Sequence, residues 1–371
     1  MSFRSSPLFS GDLYDSALRL AASPDVPRQQ GQCHAQAGDK WQHMLALGWQ
    51  GVLVAEEDGG VGARLQDVAA IVEAAARQGQ AVPLADRCAV APILLTAARA
   101  HPEAADLLSA ITMGEASVCP AWGVSEAGPG RVRGPILGAD GVLMGTLFAL
   151  DMSEPATHIL LNAHDVTTQE SVLVLLNWAR VAAAARHHVG VDEHQYTDLD
   201  LDGLQVTDQQ VLLRGAAAAD AVTRARHAGS LLTCVKAVGA AAAMIELTID
   251  YLNTRVQFGV ALSGFQALRH RTVEMYVAYE NISGLVSRLI RQADEDAQSL
   301  RARDVVLAKF YAADVARMVS ESSIQLHGGM GMTWEMLAAR LAVQTMTGSL
   351  RYGDRAECLD WLTAQTLAEA A

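Results

Sequence analysis

A polar, glycine-containing break at residues 255–270 separates two long helical patterns. On both sides of the break, small and apolar residues recur every three or four positions, which is the period of one buried helix face. Before the break they are Ala237, Ala240, Ala241, Met244, Ile245, Thr248 and Leu252. After it they are Leu268, Met275, Ala278, Tyr279, Ile282, Leu285, Val286 and Leu289. Helices joined by a short connection pack antiparallel, so the pattern predicts a helical bundle with the break at one end.

The break carries side chains that suit an anionic ligand. Arg255 offers a guanidinium fork, and Gln257 and Gln266 offer amides. Groups of this kind bind a pyrophosphate or a similar polar anion. The competing interpretation is an ordinary solvated turn at a charged helix end, and it would be favoured if the Arg-x-x-Phe-Gly sequence stood alone.

A second stretch, residues 323–335, reads Ser-Ile-Gln-Leu-His-Gly-Gly-Met-Gly-Met-Thr-Trp-Glu and follows the first by a two-helix length. The two stretches in this order resemble the C-terminal domain of the acyl-CoA dehydrogenase family. The resemblance extends to residues 47–49 and 55–62 and is weakest in the middle third. It implies that both stretches bind the adenosine-diphosphate part of FAD across a subunit interface. The matching residues are Arg255, Gln257, Phe258, Gln266, Gln325, Gly328 and Gly329.

Periodicity divides the chain into three predicted domains. Residues 1–115 alternate helical patterns with proline and glycine breaks, which predicts an all-α domain. Residues 116–215 contain short apolar runs with a period near two, which predicts a small antiparallel β domain. Residues 216–371 predict a four-helix bundle. The expected fold class is therefore α+β and mostly α, in the order that the resemblance implies. The predicted helices of the first domain are 13–21, 41–47, 65–78, 91–100 and 104–111, and the predicted strands are 121–124, 141–150, 158–162, 172–176, 205–206 and 211–213.

The resemblance implies α,β-dehydrogenation of an acyl-CoA thioester. In this chemistry a carboxylate removes the α proton while the β hydrogen leaves as hydride to the flavin, so a Glu or Asp must lie within hydrogen-bond reach of the substrate. The family's usual spacing from Gly328 and Gly329 places the expected Glu at Tyr352. The other position used in the family falls at Gly229, beside Ser230. Neither position holds a carboxylate.

Two segments that the resemblance assigns to the flavin ring also differ from the family. Residues 125–131 read Ser-Glu-Ala-Gly-Pro-Gly-Arg where Thr-Glu-Pro-Gly-Ala-Gly-Ser is common, and residues 148–150 read Phe-Ala-Leu where Trp-Ile-Thr is common. The chain thus resembles one subunit of the heteromeric enzymes for bulky steroid thioesters, in which two homologous subunits divide the flavin and catalytic residues. The implied partners are a homologous subunit in a dimer or tetramer, an acyl-CoA substrate, and electron-transfer flavoprotein as acceptor. A flavin-free scaffold subunit is the alternative.

The composition argues against a nucleic-acid-binding protein, a protein that binds anionic membranes and a disulfide or zinc framework. The net charge of -13 argues against nucleic acid or an anionic membrane as a partner. The five cysteines are scattered, which favours buried thiols in a reducing compartment over a disulfide or zinc framework. No basic stretch precedes an apolar run at the N-terminus and no run of about 20 apolar residues is visible, so we expect a cytoplasmic protein.

Two polar segments could suggest metal binding. Residues 198–203 alternate Asp with Leu before a Gly, but the closing Glu of a calcium loop is absent, so a strand entering a turn is predicted. The adjacent pair His187-His188 and the later His194 lie in a polar segment that offers no third ligand position at metal spacing, so we expect no metal site.

Overall fold

The computed structural model describes residues 2–22, 33–121, 134–297 and 299–370. Its residues form two compact units. The first comprises Met1–Cys33, Leu65–Ala81 and Ser230–Ala371, and the second comprises His34–Arg64 and Val82–Gly229. The three domain boundaries predicted from the sequence remain a proposal.

Helices come first along the chain, then mostly strands, then long helices, in the order that the periodicity predicts. In the described residues the helices are α1 (Asp12–Ala21), α2 (Cys33–Ala46), α3 (Leu65–Arg77), α4 (Ala91–Ala97), α5 (Pro102–Thr112), α6 (Trp178–Val181), α7 (Gly215–Thr254), α8 (Gln266–Glu295), α9 (Ala302–His327), α10 (Leu337–Gly348) and α11 (Arg355–Ala370). The strands are β1 (Val118–Pro120), β2 (Ile136–Leu137), β3 (Val142–Met144), β4 (Thr146–Asp151), β5 (His158–Asp165), β6 (Glu170–Asn177), β7 (Ala185–Val189), β8 (Gln195–Asp200), β9 (Leu204–Gln205), β10 (Val211–Arg214), β11 (Val256–Gln257) and β12 (Val260–Ala261).

The second unit contains two sheets. The larger has the order β10-β6-β5-β2-β3-β9, with β1 also pairing with β5, and the smaller has the order β4-β8-β7. Most pairings are antiparallel, as predicted, but β1 and β2 both pair with β5 in parallel. Parallel neighbours need a long connection, and in both cases β3 and β4 lie between the paired strands in the sequence.

The run 141–150, predicted as one strand, is two strands in different sheets. Gly145 separates β3 from β4 and has a φ of 114°, which glycine adopts without strain. Its N–H donates to Asp202 Oδ1 at 2.6 Å, which fixes the change of direction. The segment predicted as a strand entering a turn is β8 followed by a turn at Gly203, and this prediction is confirmed. The predicted strand 121–124 lies outside the described residues except for its first residue.

Both faces of the β5–β6 pair are buried. Leu161 of β5 lies opposite Val174 of β6, and both belong to the apolar core of the unit. Their neighbours Leu160 and Leu175, which point to the opposite face, are buried as well. This explains why β5 and β6 read as nearly continuous apolar runs.

Helix α7 is the longest element and packs closely against α3. A Cβ added at Gly239 of α7 would lie 2.7 Å from the backbone oxygen of Glu73 on α3, so only glycine permits this approach. By length and composition α7 could cross a bilayer, but 83% of its most apolar window is buried, as in the core helix of a folded protein. Among the described residues it is the one helix that meets this test.

Candidate functional site

The two predicted dinucleotide stretches meet at one end of the first unit. The ring of Tyr251, in the last turn of α7, lies 4.7 Å from the ring of His327 at the end of α9. One turn earlier, the hydroxyls of Thr248 and Ser323 are hydrogen-bonded at 3.0 Å. Because α7 and α9 run side by side to these ends, the break after α7 and the glycine turn after α9 belong to the same surface.

The break after α7 is a small hairpin that presents Arg255. Its backbone N–H donates to Tyr251 O at 2.8 Å, and its carbonyl accepts from Leu262 N at 2.9 Å, so the main chain is held on both sides. Strands β11 and β12 pair immediately beyond it. The guanidinium is exposed and has no hydrogen-bond or ion-pair partner among the residues that the structure describes. A fixed backbone carrying a free guanidinium is suited to binding an anion.

The N-terminus of α8 adds positive potential to the same surface. Its N-cap, Phe265, supplies no side-chain cap, and its first turn contains no acidic residue. Gln266 stands at the first helical position and is exposed. Free N–H groups and the helix dipole make such an end a favourable place for phosphate. Residues 255–273 contain three arginines and a histidine but no carboxylate, although the chain as a whole carries a charge of -13.

The glycine turn after α9 leaves an open surface. Gly328 has a φ of 60°, which explains glycine at that position. A Cβ added at Gly328 or Gly329 would meet nothing within 4 Å, so packing among the described residues does not require a glycine at Gly329. Gln325, one turn earlier, is exposed. Open backbone beside Gln325 allows a ligand or another chain to approach closely. The donors and the space at this end therefore fit the diphosphate part of FAD.

Tyr352 lies in the turn between α10 and α11, with its side chain 7% exposed. Its φ is 57°, and its carbonyl accepts from Ser230 Oγ at 3.5 Å. The guanidinium of Arg351 lies over its ring at 5.9 Å. Neither Tyr352 nor Gly229, the two positions at which a catalytic carboxylate is expected, supplies one.

The carboxylate nearest to Tyr352 along the chain has a structural task. Asp354 Oδ1 accepts from Glu357 N at 2.8 Å and caps the start of α11. The preceding residues are held by Lys309, whose Nζ donates to Ser349 O at 2.5 Å. Burial lowers the pKa of Lys309. The turn around Tyr352 is therefore held in place, and the carboxylate of Asp354 serves as the cap of α11.

The segments assigned to the flavin ring are only partly described. Residues 125–131 lie outside the described residues. Leu150 is 1% exposed and belongs to the apolar core of the second unit, so it offers no polar contact to a ligand. Ala149 has a φ of 52°, beside an irregular register between Leu147 and Leu150.

Sequence reasoning missed a buried polar cluster in the second unit. Arg87 stands in a π-helical turn at Asp86–Val90 and is 1% exposed. Its Nη2 donates to the backbone oxygens of Asp151, at 3.4 Å, and Glu154, at 3.2 Å. The carboxylate of Asp151 accepts from His194 Nδ1 at 3.1 Å. The one sequence signal was a charge, Arg87, directly before an apolar run.

Glu154 gives this cluster an expected pH dependence. Burial raises its pKa from 4.5 to about 7, opposed by Arg87 and reinforced by Asp151. The folded state therefore holds a proton that the unfolded state releases between these values, so stability falls as pH rises from 4.5 to 7. Glu154→Gln should remove this fall, which is worth about 3 kcal/mol at most. Urea unfolding of both proteins at pH 5 and pH 8 measures it, and parallel losses in the two proteins would contradict the assignment.

Comparison with known proteins shows what the chain is similar to. Residues 219–355 match the family model for the acyl-CoA dehydrogenase C-terminal domain. The acyl-CoA dehydrogenase IpdE2 of Mycolicibacterium smegmatis is 32% identical over 106 residues, which are 29% of this chain and 32% of that protein. The match thus spans about a third of that relative's length. The acyl-CoA dehydrogenase FadE28 of Mycobacterium tuberculosis is 25% identical over 292 residues, 79% of this chain and 82% of that protein.

The fold extends the likeness over nearly the whole chain. A variant of the steroid ACAD Tcur3481-Tcur3483 superposes with a TM-score of 0.83 at 21% identity, covering 97% of this chain and 98% of that one. The family match covers residues 219–355, which resemble the C-terminal domain of acyl-CoA dehydrogenases, and over the rest of the chain the likeness is one of fold. The resemblance and the mostly helical α+β fold class predicted from the sequence are both confirmed.

Proposed function

We propose that this chain is the FAD-holding subunit of a heteromeric acyl-CoA dehydrogenase. The reaction is α,β-dehydrogenation of an acyl-CoA thioester, with the base supplied by a homologous partner subunit. One observation carries the proposal: residues suited to the dinucleotide gather at one end of the first unit, while Tyr352 stands where the carboxylate is expected.

Each part of this end has a task in the proposal. Arg255 and the N-terminus of α8 bind the diphosphate, and Gly328 and Gly329 let its adenosine side approach the backbone. Gln257, Phe258, Gln266 and Gln325 complete the surface that faces the cofactor and the neighbouring chain. FAD, when bound, supplies the hydride acceptor. Electron-transfer flavoprotein is the proposed next acceptor, in the cytoplasm.

A homologous partner follows from what this chain retains and what it has lost. A chain that binds FAD but has no catalytic carboxylate can take part in the reaction only beside a chain that carries such a carboxylate. The structurally similar steroid ACAD bears two component names, Tcur3481 and Tcur3483, which supports a two-component enzyme here. A bulky, polycyclic acyl group is accordingly the proposed substrate class.

The chain should not be a monomer. Phe258 is 91% exposed, and Val256 and Val260 on the same hairpin are 56% and 49% exposed. An apolar cluster of this kind beside a charged ligand surface is typical of an interface. Light scattering at micromolar concentration should give a dimer or tetramer, with this chain alone or with its partner. A single species near 39.4 kDa in both samples would contradict the assembly.

The second candidate is a flavin-free scaffold that stabilises a catalytic partner, and Tyr352 is the observation that favours it. Flavin absorbance separates the two candidates. The chain should be purified alone and together with a co-encoded homologue, and its flavin content measured per chain after dialysis. Near-stoichiometric flavin that depends on this chain supports the proposed function, whereas a colourless complex supports the scaffold.

A further inference from the structure

Among the residues that the structure describes, Arg87 is a buried cation without an anionic partner. Its side chain is 1% exposed, and within the described residues its hydrogen bonds go to two carbonyl oxygens and, weakly, to the sulfur of Met152. No described carboxylate lies at ion-pair distance, and Nε and Nη1 have no hydrogen-bond partner. Buried charges are normally paired because leaving one unpaired costs several kcal/mol. The unused N–H groups therefore indicate a site for an anion.

Two further unsatisfied atoms belong to the same cluster. Glu154, 2% exposed, uses its backbone oxygen for Arg87, while its carboxyl Oε1 is buried without a partner in the described part of the chain. His194, also 2% exposed, binds Asp151 through Nδ1 and leaves Nε2 buried and unpartnered there. Buried polar atoms are rarely left unsatisfied, so three such residues around one strand end need an explanation.

The charges of Arg87, Asp151 and Glu154 determine which kind of ligand could bind in the cluster. Arg87 is positively charged and Asp151 is negatively charged. His194 contacts the cluster through its hydrogen bond to the Asp151 carboxylate. Arg87 and Asp151 are also the charged groups that act on Glu154. A carboxylate entering beside Arg87 would be repelled by an ionised Glu154 but could accept a hydrogen bond from a protonated one. Binding an anion together with a proton adds no net charge to a buried place, which avoids a large desolvation penalty.

We propose that Arg87, Glu154 and His194 form a subsite in the second unit for a small carboxylate, and that the carboxylate binds together with a proton held by Glu154. The donors of Arg87 bind the carboxylate oxygens, as guanidinium groups do elsewhere. The subsite uses none of the residues assigned to FAD, so it stands independently of the proposed function. An ordinary internal water in this place would be insensitive to added carboxylate.

Sodium acetate is the probe, with sodium chloride at equal ionic strength as the reference. Acetate should raise the thermal midpoint of the wild-type chain saturably. Arg87→Met should abolish this response. The matched control Arg99→Met removes an exposed arginine of the same unit that pairs with Glu57, and it should respond like wild type. No acetate effect beyond that of chloride in wild type, or an equal effect in a folded Arg87→Met, would overturn the proposal.

Proton coupling gives a second test that does not need Arg87→Met to fold. Because the pKa of Glu154 is about 7, acetate should bind wild type about tenfold more weakly at pH 8 than at pH 6. Calorimetry in two buffers of different ionisation enthalpy should show uptake of nearly one proton at pH 8. Glu154→Gln, which keeps the shape of the side chain, should show almost no uptake. Equal proton uptake in wild type and Glu154→Gln would overturn the role of Glu154.

Discussion

Replacing Arg255 by alanine is expected to weaken flavin binding by about 10- to 150-fold. The guanidinium is exposed and unpaired among the described residues, so its removal costs little within the protein itself. A hydrogen bond to a charged group contributes roughly 1.5 to 3 kcal/mol, and 1.4 kcal/mol corresponds to a factor of ten. Flavin remaining on the purified complex after dialysis measures the effect, and the melting temperature of the apoprotein should be unchanged.

Arg288→Ala is the matched control for this change. It removes the same charge from α8, the helix that follows the Arg255 hairpin, where Arg288 is exposed. Its position is about 33 Å along α8 from Gln266, at 1.5 Å per residue. Flavin retention should equal that of wild type. Equal losses in the two variants would show that net charge, and not a contact of Arg255, controls retention.

The isolated chain is expected to show almost no dehydrogenation of acyl thioesters. A positioned general base contributes roughly 10²- to 10⁴-fold to such a proton transfer. A phenol, with an ordinary pKa of about 10, is a poor acceptor for an α proton at neutral pH. Turnover with an artificial electron acceptor should appear only when a homologous subunit bearing a Glu or Asp is added. Because Tyr352 has no catalytic task in the proposal, Tyr352→Phe should leave the activity of the complex unchanged.

Adding a carboxylate to this chain should not be sufficient. In Tyr352→Glu the new side chain would start from a buried turn whose carbonyl is tied to Ser230, while Leu150 still offers no polar contact. We therefore expect turnover of the isolated variant to remain at background. Turnover of the variant alone, approaching that of the complex, would mean that the rest of the site in this chain is complete.

Sequence reasoning succeeded where the signal was local. Helix α3 was predicted at 65–78 and runs Leu65–Arg77, because its apolar period is strong and its ends have clear breaks. Strands β5 and β6 were found within three residues at each end because both are apolar runs. The break predicted at residues 255–270 does lie between two helices, but α8 already begins at Gln266 and the hairpin of β11 and β12 was not foreseen.

Features that depend on distant parts of the chain were not predictable in this way. Gly145 divides a continuous apolar run because β3 and β4 pair with strands of different sheets, β9 and β8. Parallel pairing of β1 and β2 with β5 likewise has no local signature. Arg87, Asp151 and His194 form one buried cluster although 64 and 43 positions separate them along the chain. No pattern in the sequence connects these three positions.

The most direct test of the division between cofactor-holding and base-supplying subunits is anaerobic bleaching of the flavin by acyl-CoA. The measurement compares this chain alone with its complex, using straight-chain and polycyclic substrates under identical flavin loading. The account predicts rapid bleaching in the complex, stronger with polycyclic substrates, and none by the chain alone. Robust bleaching by the isolated chain, abolished in Tyr352→Phe, would contradict the account and establish Tyr352 as a working catalytic residue.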